Sequence, residues 1–269
     1  MDRLFDRVLV RPPGKDYSRC LSKNPDKETI DVPEAKAQHE KYVNKLKECG
    51  LEIEETPPLK NYPDAVFVQD TALVGAESNR AVICRFGVSD RRGEEESVAR
   101  YLKGSGFETH RIEAPGTLEG GDVLVTDSDK VFVGESERTN VEGIEQLSQA
   151  FPNKEIIKVP VSEVFHLLST VNYLGENTLA VCPDIVDTTH FQDFELIKIK
   201  KNEQSTEYPN KPINLMYLGK NRVMLPNVYP ETINILQKEG YSTIEVDISE
   251  FWKGDAGTTC PTLPFYKGL

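Results

Sequence analysis

The 269-residue sequence has no excess of positive charge, no long apolar run, no paired-cysteine motif and no low-complexity linker. Each absence removes a class of protein. Lys and Arg number 32 against 44 Asp and Glu, a formal net charge of −12, so neither nucleic acid nor an anionic membrane is the expected partner. No apolar stretch approaches the roughly 18 residues that cross a bilayer. The opening MDRLFDRVLV carries two Asp and two Arg, unlike a secretory signal. The five cysteines, at 20, 49, 84, 182 and 260, are odd in number, widely spaced and without a C-x-x-C pair, which argues against disulfide scaffolds and cysteine zinc sites. A reducing cytoplasm is the compartment expected. With 38% hydrophobic and 28% charged residues the chain can build a core of its own. The absence of a Pro/Ser-rich break predicts one domain over residues 1–269.

What the sequence does have is a repeat. PEAKAQHEKYVNKLKECG reads as a helix with Ala35, His39, Tyr42, Val43 and Leu46 on one face and Gly50 as its stop. A short strand LEIEE follows, then a Pro-rich loop, then the hairpin AVFVQDTALV–GAESN–AVIC. The same order returns with EEESVARYLKGSG, FETHRIE and DVLVTDSDKVFVG, and again with TNVEGIEQLSQAF, KEIIKVP and TVNYLGENTLAVC. HFQDF, ELIKIK and NLMYLGKNRVMLP form a shorter copy. PETINILQKEG, YSTIEVD and the strand near TTCPTLPFYK form the last. That final copy lacks a second hairpin strand, a place the N-terminal RVLVRPP is predicted to fill. Five alternating helix-and-hairpin units predict an α/β fold closed as a propeller-like ring.

The loop after each short strand is held at both ends by the scaffold, so chemistry mounted there converges on the ring axis. These loops carry Asp64, Gln69 and Asp70 in the first unit, Glu119 and Asp122 in LEGGDV, His166 in FHLLS and Cys260 in GTTC. Cysteine is a strong nucleophile near neutral pH and histidine moves protons there. Paired carboxylates suit a planar guanidinium with its fork of N–H donors. Together they fit attack by a thiolate on a guanidinium carbon, with the cationic substrate helping to ionise a Cys260 that rests largely as thiol. The bland alternatives are weighed residue by residue. Cys84 and Cys182 end strands and read as core, and Cys20 and Cys49 have no chemical case. His39, His110 and His190 read as structural, whereas Asp122 reads as support for the loop or for the histidine. The Gly120–Gly121 pair reads as room for a tight turn. The charge runs EEES and KNEQSTE read as solvated faces or loops.

PDAVFVQDTALV, LEGGDVL, GESERTN, FHLLS and the late TTC resemble, in order and spacing, the guanidine-modifying pentein superfamily, and within it the dimethylarginine dimethylaminohydrolases. The resemblance spans nearly the whole chain. It implies a five-bladed propeller of ββαβ units and hydrolysis of the guanidino C–N bond of N-methylated arginine or arginine to citrulline plus an amine or ammonia. Cys260 would be the nucleophile and form a covalent thiouronium, and His166 would be the acid and base. Asp70 and Glu119 would grip the guanidinium, with Asp64 and Gln69 beside them. Arg91 and Arg138 would bind the α-carboxylate, and Leu21 in SRCLSK would belong to a lid. No metal and no organic cofactor is implied. The partner expected is a small guanidino amino acid, with a homodimer as the assembly to test. The sequence departs from the family at Gln69, where FVQD replaces FVED, and at Leu168, where Lys is common. Its PTLPF ending and SERT motif are similar to arginine deiminases. These departures leave methylated against plain arginine open. An amidinotransferase and a non-catalytic binding propeller remain as rivals.

Overall fold

In the computed structural model of the chain, residues 3–201 and 213–269 are described. The KNEQSTE run lies, after its first residue, outside them. Along the chain come β1 (Phe5–Val10), α1 (Val32–Glu48) and β2 (Glu52–Glu55), then β3 (Ala72–Gly75), β4 (Arg80–Ile83), α2 (Glu95–Gly104) and β5 (Glu108–Arg111). They are followed by β6 (Val123–Val125), β7 (Lys130–Glu135), α3 (Val141–Ala150) and β8 (Glu155–Pro160). Next are β9 (Val171–Tyr173), β10 (Thr178–Val181) and β11 (Glu195–Lys198), with a 3-10 turn, Thr188–Phe191, where the other units have a helix. The described elements close with β12 (Met216–Tyr217), β13 (Arg222–Pro226), α4 (Pro230–Lys238), β14 (Ser242–Val246), α5 (Ser249–Trp252) and β15 (Thr262–Tyr266).

One pairing pattern recurs. Two strands form an antiparallel hairpin and the strand after the intervening segment adds parallel to the second: β3–β4–β5, β6–β7–β8, β9–β10–β11 and β12–β13–β14. β15, β1 and β2 make the fifth set, β15 antiparallel to β1 and β1 parallel to β2. The N-terminal strand therefore fills the place the last repeat lacks. β15 also pairs with β3, which joins two sets into a six-stranded sheet beside three sheets of three.

Burial follows position within each set. The leading strands β3, β6, β9 and β15 are buried along their whole length, so they read as continuous apolar runs. The trailing strands β2, β5 and β11 begin and end on exposed charged residues, which blunts each open edge against pairing with another chain. α1 starts at Asp31, whose carboxylate accepts the Glu34 N–H at 3.0 Å, a cap typically contributing about 1 kcal/mol. It buries the face expected, with Ala35, His39, Tyr42, Val43 and Leu46, and ends before Gly50 at φ +79°. Each fully buried aliphatic side chain of such a face contributes roughly 1.5–3 kcal/mol. No helix among the described residues is long and apolar enough to cross a membrane.

Candidate active site

Every leading strand is entered through a short irregular turn. Val68–Thr71 precedes β3, Gly120–Asp122 precedes β6, Leu167–Ser169 with His166 as its N-terminal residue precedes β9, and the Cys260 turn precedes β15. In the remaining set the same place, just before β12, is held by Asn214. One cavity is walled by Asp64, Gln69, Asp70, His166, Asn214 and Cys260, with Leu21, Arg91 and Arg138 also on its surface. Glu119, 0% exposed, is not on that wall and lies behind His166.

The histidine sits in a cage of acids. Its Nε2 is 2.8 Å from Glu119 Oε2 and 3.9 Å from Asp70 Oδ1. Asp122 accepts the Leu167 N–H at 2.9 Å and the Ser136 hydroxyl at 2.7 Å, so it fixes the backbone next to the ring. Burial works against charge on His166, but Asp70, the hydrogen bond to Glu119 and Asp122 outweigh it and lift its pKa from 6.5 to about 9. Burial also pushes Asp122 up, to about 6. For Asp70 burial is outweighed by His166 and Arg91, which hold its carboxyl below the ordinary 3.8. At neutral pH the site thus presents an imidazolium beside ionised Asp70, ready to donate a proton.

Gly121 is there for room. Neither glycine of the pair has positive φ, but a Cβ on Gly121 would lie 2.6 Å from His166 Nδ1 and 2.9 Å from Asp70 Oδ1. The pair allows close approach of side chains and backbone within the tight turn that the sequence implied. The Gly121 N–H donates to Asp70 Oδ1 at 3.0 Å.

On the nucleophile side, Cys260 is the one partly exposed cysteine; Cys20, Cys49, Cys84 and Cys182 are buried. The Gly257 N–H points at its Sγ at 3.4 Å. Its carbonyl accepts the Gln69 N–H at 3.2 Å, and the Gln69 side-chain oxygen accepts the Thr259 hydroxyl at 2.9 Å. Gln69 is therefore committed to the cysteine turn. Asn214 accepts the Thr259 N–H at 2.8 Å through Oδ1, and its carbonyl takes the Thr258 hydroxyl.

Arg91 is 5% exposed and tightly held. It donates to Asp70 at 2.8 Å and to Glu94 at 2.9 and 3.2 Å, and stacks 4.4 Å over Phe86. The sequence reading of EEES as a solvated face is corrected here: Glu94 is 1% exposed because it neutralises a buried guanidinium. Burial, eased by Arg91, raises its pKa to about 7. Arg138 lies 3.7 Å from Glu119 and 5.1 Å over the Phe165 ring.

The segment around Leu21 is clasped. Both oxygens of Asp64 accept the Leu21 N–H, at 3.0 and 3.1 Å, and burial raises the Asp64 pKa. Asp255 accepts the Ser22 hydroxyl at 2.8 Å and the Lys23 N–H at 2.7 Å. Leu21 is 37% exposed, although it also faces the cavity.

Among the described residues, Asp70, Glu119 and His166 offer one metal-competent atom each within 4.8 Å of one another. In this structure those atoms serve the acid–histidine contacts above. Asn214, Glu94 and Asp255 were not selected from sequence. Asn214 was detectable as the residue standing before β12 as His166 stands before β9. Glu94 was detectable from its i, i+3 spacing to Arg91. Asp255 carried no such signal.

Residues 17–267 match the family described as N,N dimethylarginine dimethylhydrolase, eukaryotic. The chain is 42% identical over 272 residues to an uncharacterized protein of Aeropyrum pernix, covering 100% of this chain and 98% of that one. It is 34% identical over 268 residues to N(G),N(G)-dimethylarginine dimethylaminohydrolase of Pseudomonas aeruginosa, covering 97% and 100%. A solved structure of DDAH from Pseudomonas aeruginosa, a cysteine-to-serine mutant complexed with citrulline, superposes with a TM-score of 0.88 at 32% identity. It covers 98% of this chain and 100% of that one.

Proposed function

The chain belongs to the dimethylarginine dimethylaminohydrolase family, and we propose that it hydrolyses the guanidino C–N bond of N-methylated arginine or arginine, giving citrulline plus methylamine, dimethylamine or ammonia. The observation that carries this reading is the sharing of one cavity wall by Cys260, an acid-caged His166, Asp64 and Asp70. A guanidinium entering there meets ionised Asp70, whose charge favours it. Cys260 gives up its proton to solvent as the cation arrives, and the thiolate adds to the guanidinium carbon. His166 donates its proton to the departing nitrogen, and the amine leaves a thiouronium on Sγ. The now neutral His166 takes one proton from water as its oxygen adds to the same carbon. Sγ is expelled as thiolate, the remaining hydroxyl proton is lost to solvent to give citrulline, and the thiolate takes a proton from solvent to restore the thiol. The citrulline held by the Pseudomonas aeruginosa structure is the product this route delivers.

Supporting roles follow from position. Glu119 orients and charges His166 from behind, which is a different task from gripping substrate. Asp64 and Gln69 flank the guanidinium, Arg91 and Arg138 receive the α-carboxylate, and Leu21 covers the entrance. The five strand sets would be the blades of a closed propeller forming one catalytic domain. Contacts of β15 with β3, β6 with β9, and β9 with β12 support that reading. A cytoplasmic enzyme, monomeric or homodimeric, fits it.

The test is citrulline release from arginine, monomethylarginine and asymmetric dimethylarginine by the purified protein. Faster turnover of the methylated substrates makes it a dimethylargininase. Turnover of arginine alone makes it a compact arginine deiminase, the reading that Gln69 and the PTLPF ending favour. Transfer to ornithine or glycine in place of water makes it an amidinotransferase. No turnover of any guanidine overturns the proposal.

A further inference from the structure

Cys260 and His166 come from different strand sets, so something must fix the spacing between their turns. Asp122 holds the His166 turn on one side through Leu167. On the other side the Asn172 amide, 2% exposed in β9, donates from Nδ2 to the Leu168 carbonyl at 3.1 Å. Leu168 lies in the turn that opens at His166. The Oδ1 of the same amide accepts the Leu215 N–H at 2.9 Å. Leu215 adjoins Asn214, 5% exposed, whose Oδ1 accepts the Thr259 N–H at 2.8 Å beside Cys260. The line runs from Leu168 through Asn172, Leu215 and Asn214 to Thr259, with every polar link buried. Three of the five strand sets are tied in this way, and the Asn172 links use an amide at a β-strand position that would ordinarily go to an apolar side chain.

We propose that Asn172 and Asn214 form a bridge that sets the separation of the His166 and Cys260 turns and are positioning residues for the reaction proposed above. Neither needs to touch the reacting atoms. A buried amide with both ends engaged resists displacement, because moving either turn strands a donor or an acceptor away from water. Misplacing the proton donor relative to the nucleophile acts on the chemical step and leaves the α-carboxylate and guanidinium contacts in place.

Asn172 works through both its donor and its acceptor. Asn172→Asp is isosteric but turns the donor facing the Leu168 carbonyl into a second acceptor. Asn172→Leu, close in size and uncharged, removes both polar ends. The bridge predicts that each variant lowers kcat at least about tenfold with KM within about twofold. A loss confined to Asn172→Asp, which would report charge alone, overturns the proposal, as does an unchanged kcat in folded Asn172→Asp or a loss confined to KM. Amide hydrogen exchange of the wild-type protein gives a reading that does not depend on the variants folding. The Leu215 and Thr259 amides are expected among the slowly exchanging set, and fast exchange of either removes the bridge. A wild type that exchanges slowly there yet turns over no guanidine would overturn the proposed hydrolysis and leave the bridge standing as structure.

Discussion

His166 Nε2 stands 2.8 Å from an oxygen of Glu119, a carboxylate with no exposed surface. A histidine so paired keeps its proton well into the alkaline range, and it is the protonated ring that the leaving amine needs. Glu119→Gln removes the charge and keeps the shape. In a pH profile of kcat/KM the alkaline limb, expected near 9 in the wild type from the raised His166 value, should move down by about one unit or more. A shift of one unit lowers activity at pH 8 about twofold, and each further unit lowers it by up to about tenfold more. An unmoved limb would separate Glu119 from His166 function.

Cys260→Ser should abolish citrulline release while the folded protein still binds arginine or its methylated forms by calorimetry. A serine hydroxyl is not ionised by an adjacent cation as a thiol is. In the wild type, ultraviolet thiolate absorbance should rise as substrate analogue is added. A clean serine variant that turns over, or a thiolate signal indifferent to ligand, would each remove part of the assignment.

Glu94 enters function through Arg91. Glu94→Gln removes one of three carboxylates near that guanidinium and leaves Asp70 and, farther off, Glu119 as its anionic partners. KM for arginine substrates should rise about tenfold with kcat nearly kept, the signature of lost uniform binding. The decarboxylated analogue of arginine, with nothing for Arg91 to receive, should show no such rise. A comparable rise for that analogue would count against Arg91 as the carboxylate site.

Three groups, two buried and one partly so, make stability fall with pH. Asp122, Glu94 and His166 have folded-state values of about 6, 7 and 9, each above its ordinary value of 3.8, 4.5 or 6.5. The folded state therefore holds these protons more tightly than the unfolded chain. Each contribution is complete below the ordinary value and is lost as pH rises through the folded one. Asp70 runs the other way, and its contribution fades only in acid. Thermal unfolding should show Tm dropping between about pH 4 and about pH 9, with the part above about 7 missing in His166→Gln. A Tm level across that range would contradict the charge arrangement.

Gly121→Ala places a methyl against His166 and Asp70. Overpacking of this kind costs about 1–3 kcal/mol, and here it also pushes the imidazole off its acids. A lowered urea midpoint together with a kcat loss larger than the stability loss is the expected pair of results. Neutral behaviour would mean that the turn relaxes at no cost.

The repeat made much of the fold legible. Alternating Val, Leu and Ala runs ahead of charged short strands reflect leading strands buried on both faces and trailing strands at an edge, and helix faces such as Ala35–Leu46 follow the same logic. The missing hairpin strand of the last copy pointed to β1. At the site, Cys260, His166, Asp70 and Glu119 were legible because their chemistry is conspicuous at equivalent turns. Asn214 was marked only by its place before β12, since its amide carries no conspicuous chemistry. Glu94 was marked only by its spacing to Arg91, since burial of one acid in EEES, whose neighbours are more exposed, depends on where Arg91 lands. Which face of His166 meets Glu119 depends on Gly121 leaving space, a matter of packing between loops far apart in the chain.

The strand after Cys260 lies between two strands from much earlier in the sequence, since β15 pairs with both β1 and β3. For a nascent chain, Asp70, Glu119 and His166 have all been made while Cys260 is still missing, and the strand that seats it docks between partners made long before it. Reactivity therefore arrives in a single late event. A fragment that stops short of β15 carries acids and an imidazole but no thiol held among them, so the chemistry proposed here waits on that one strand.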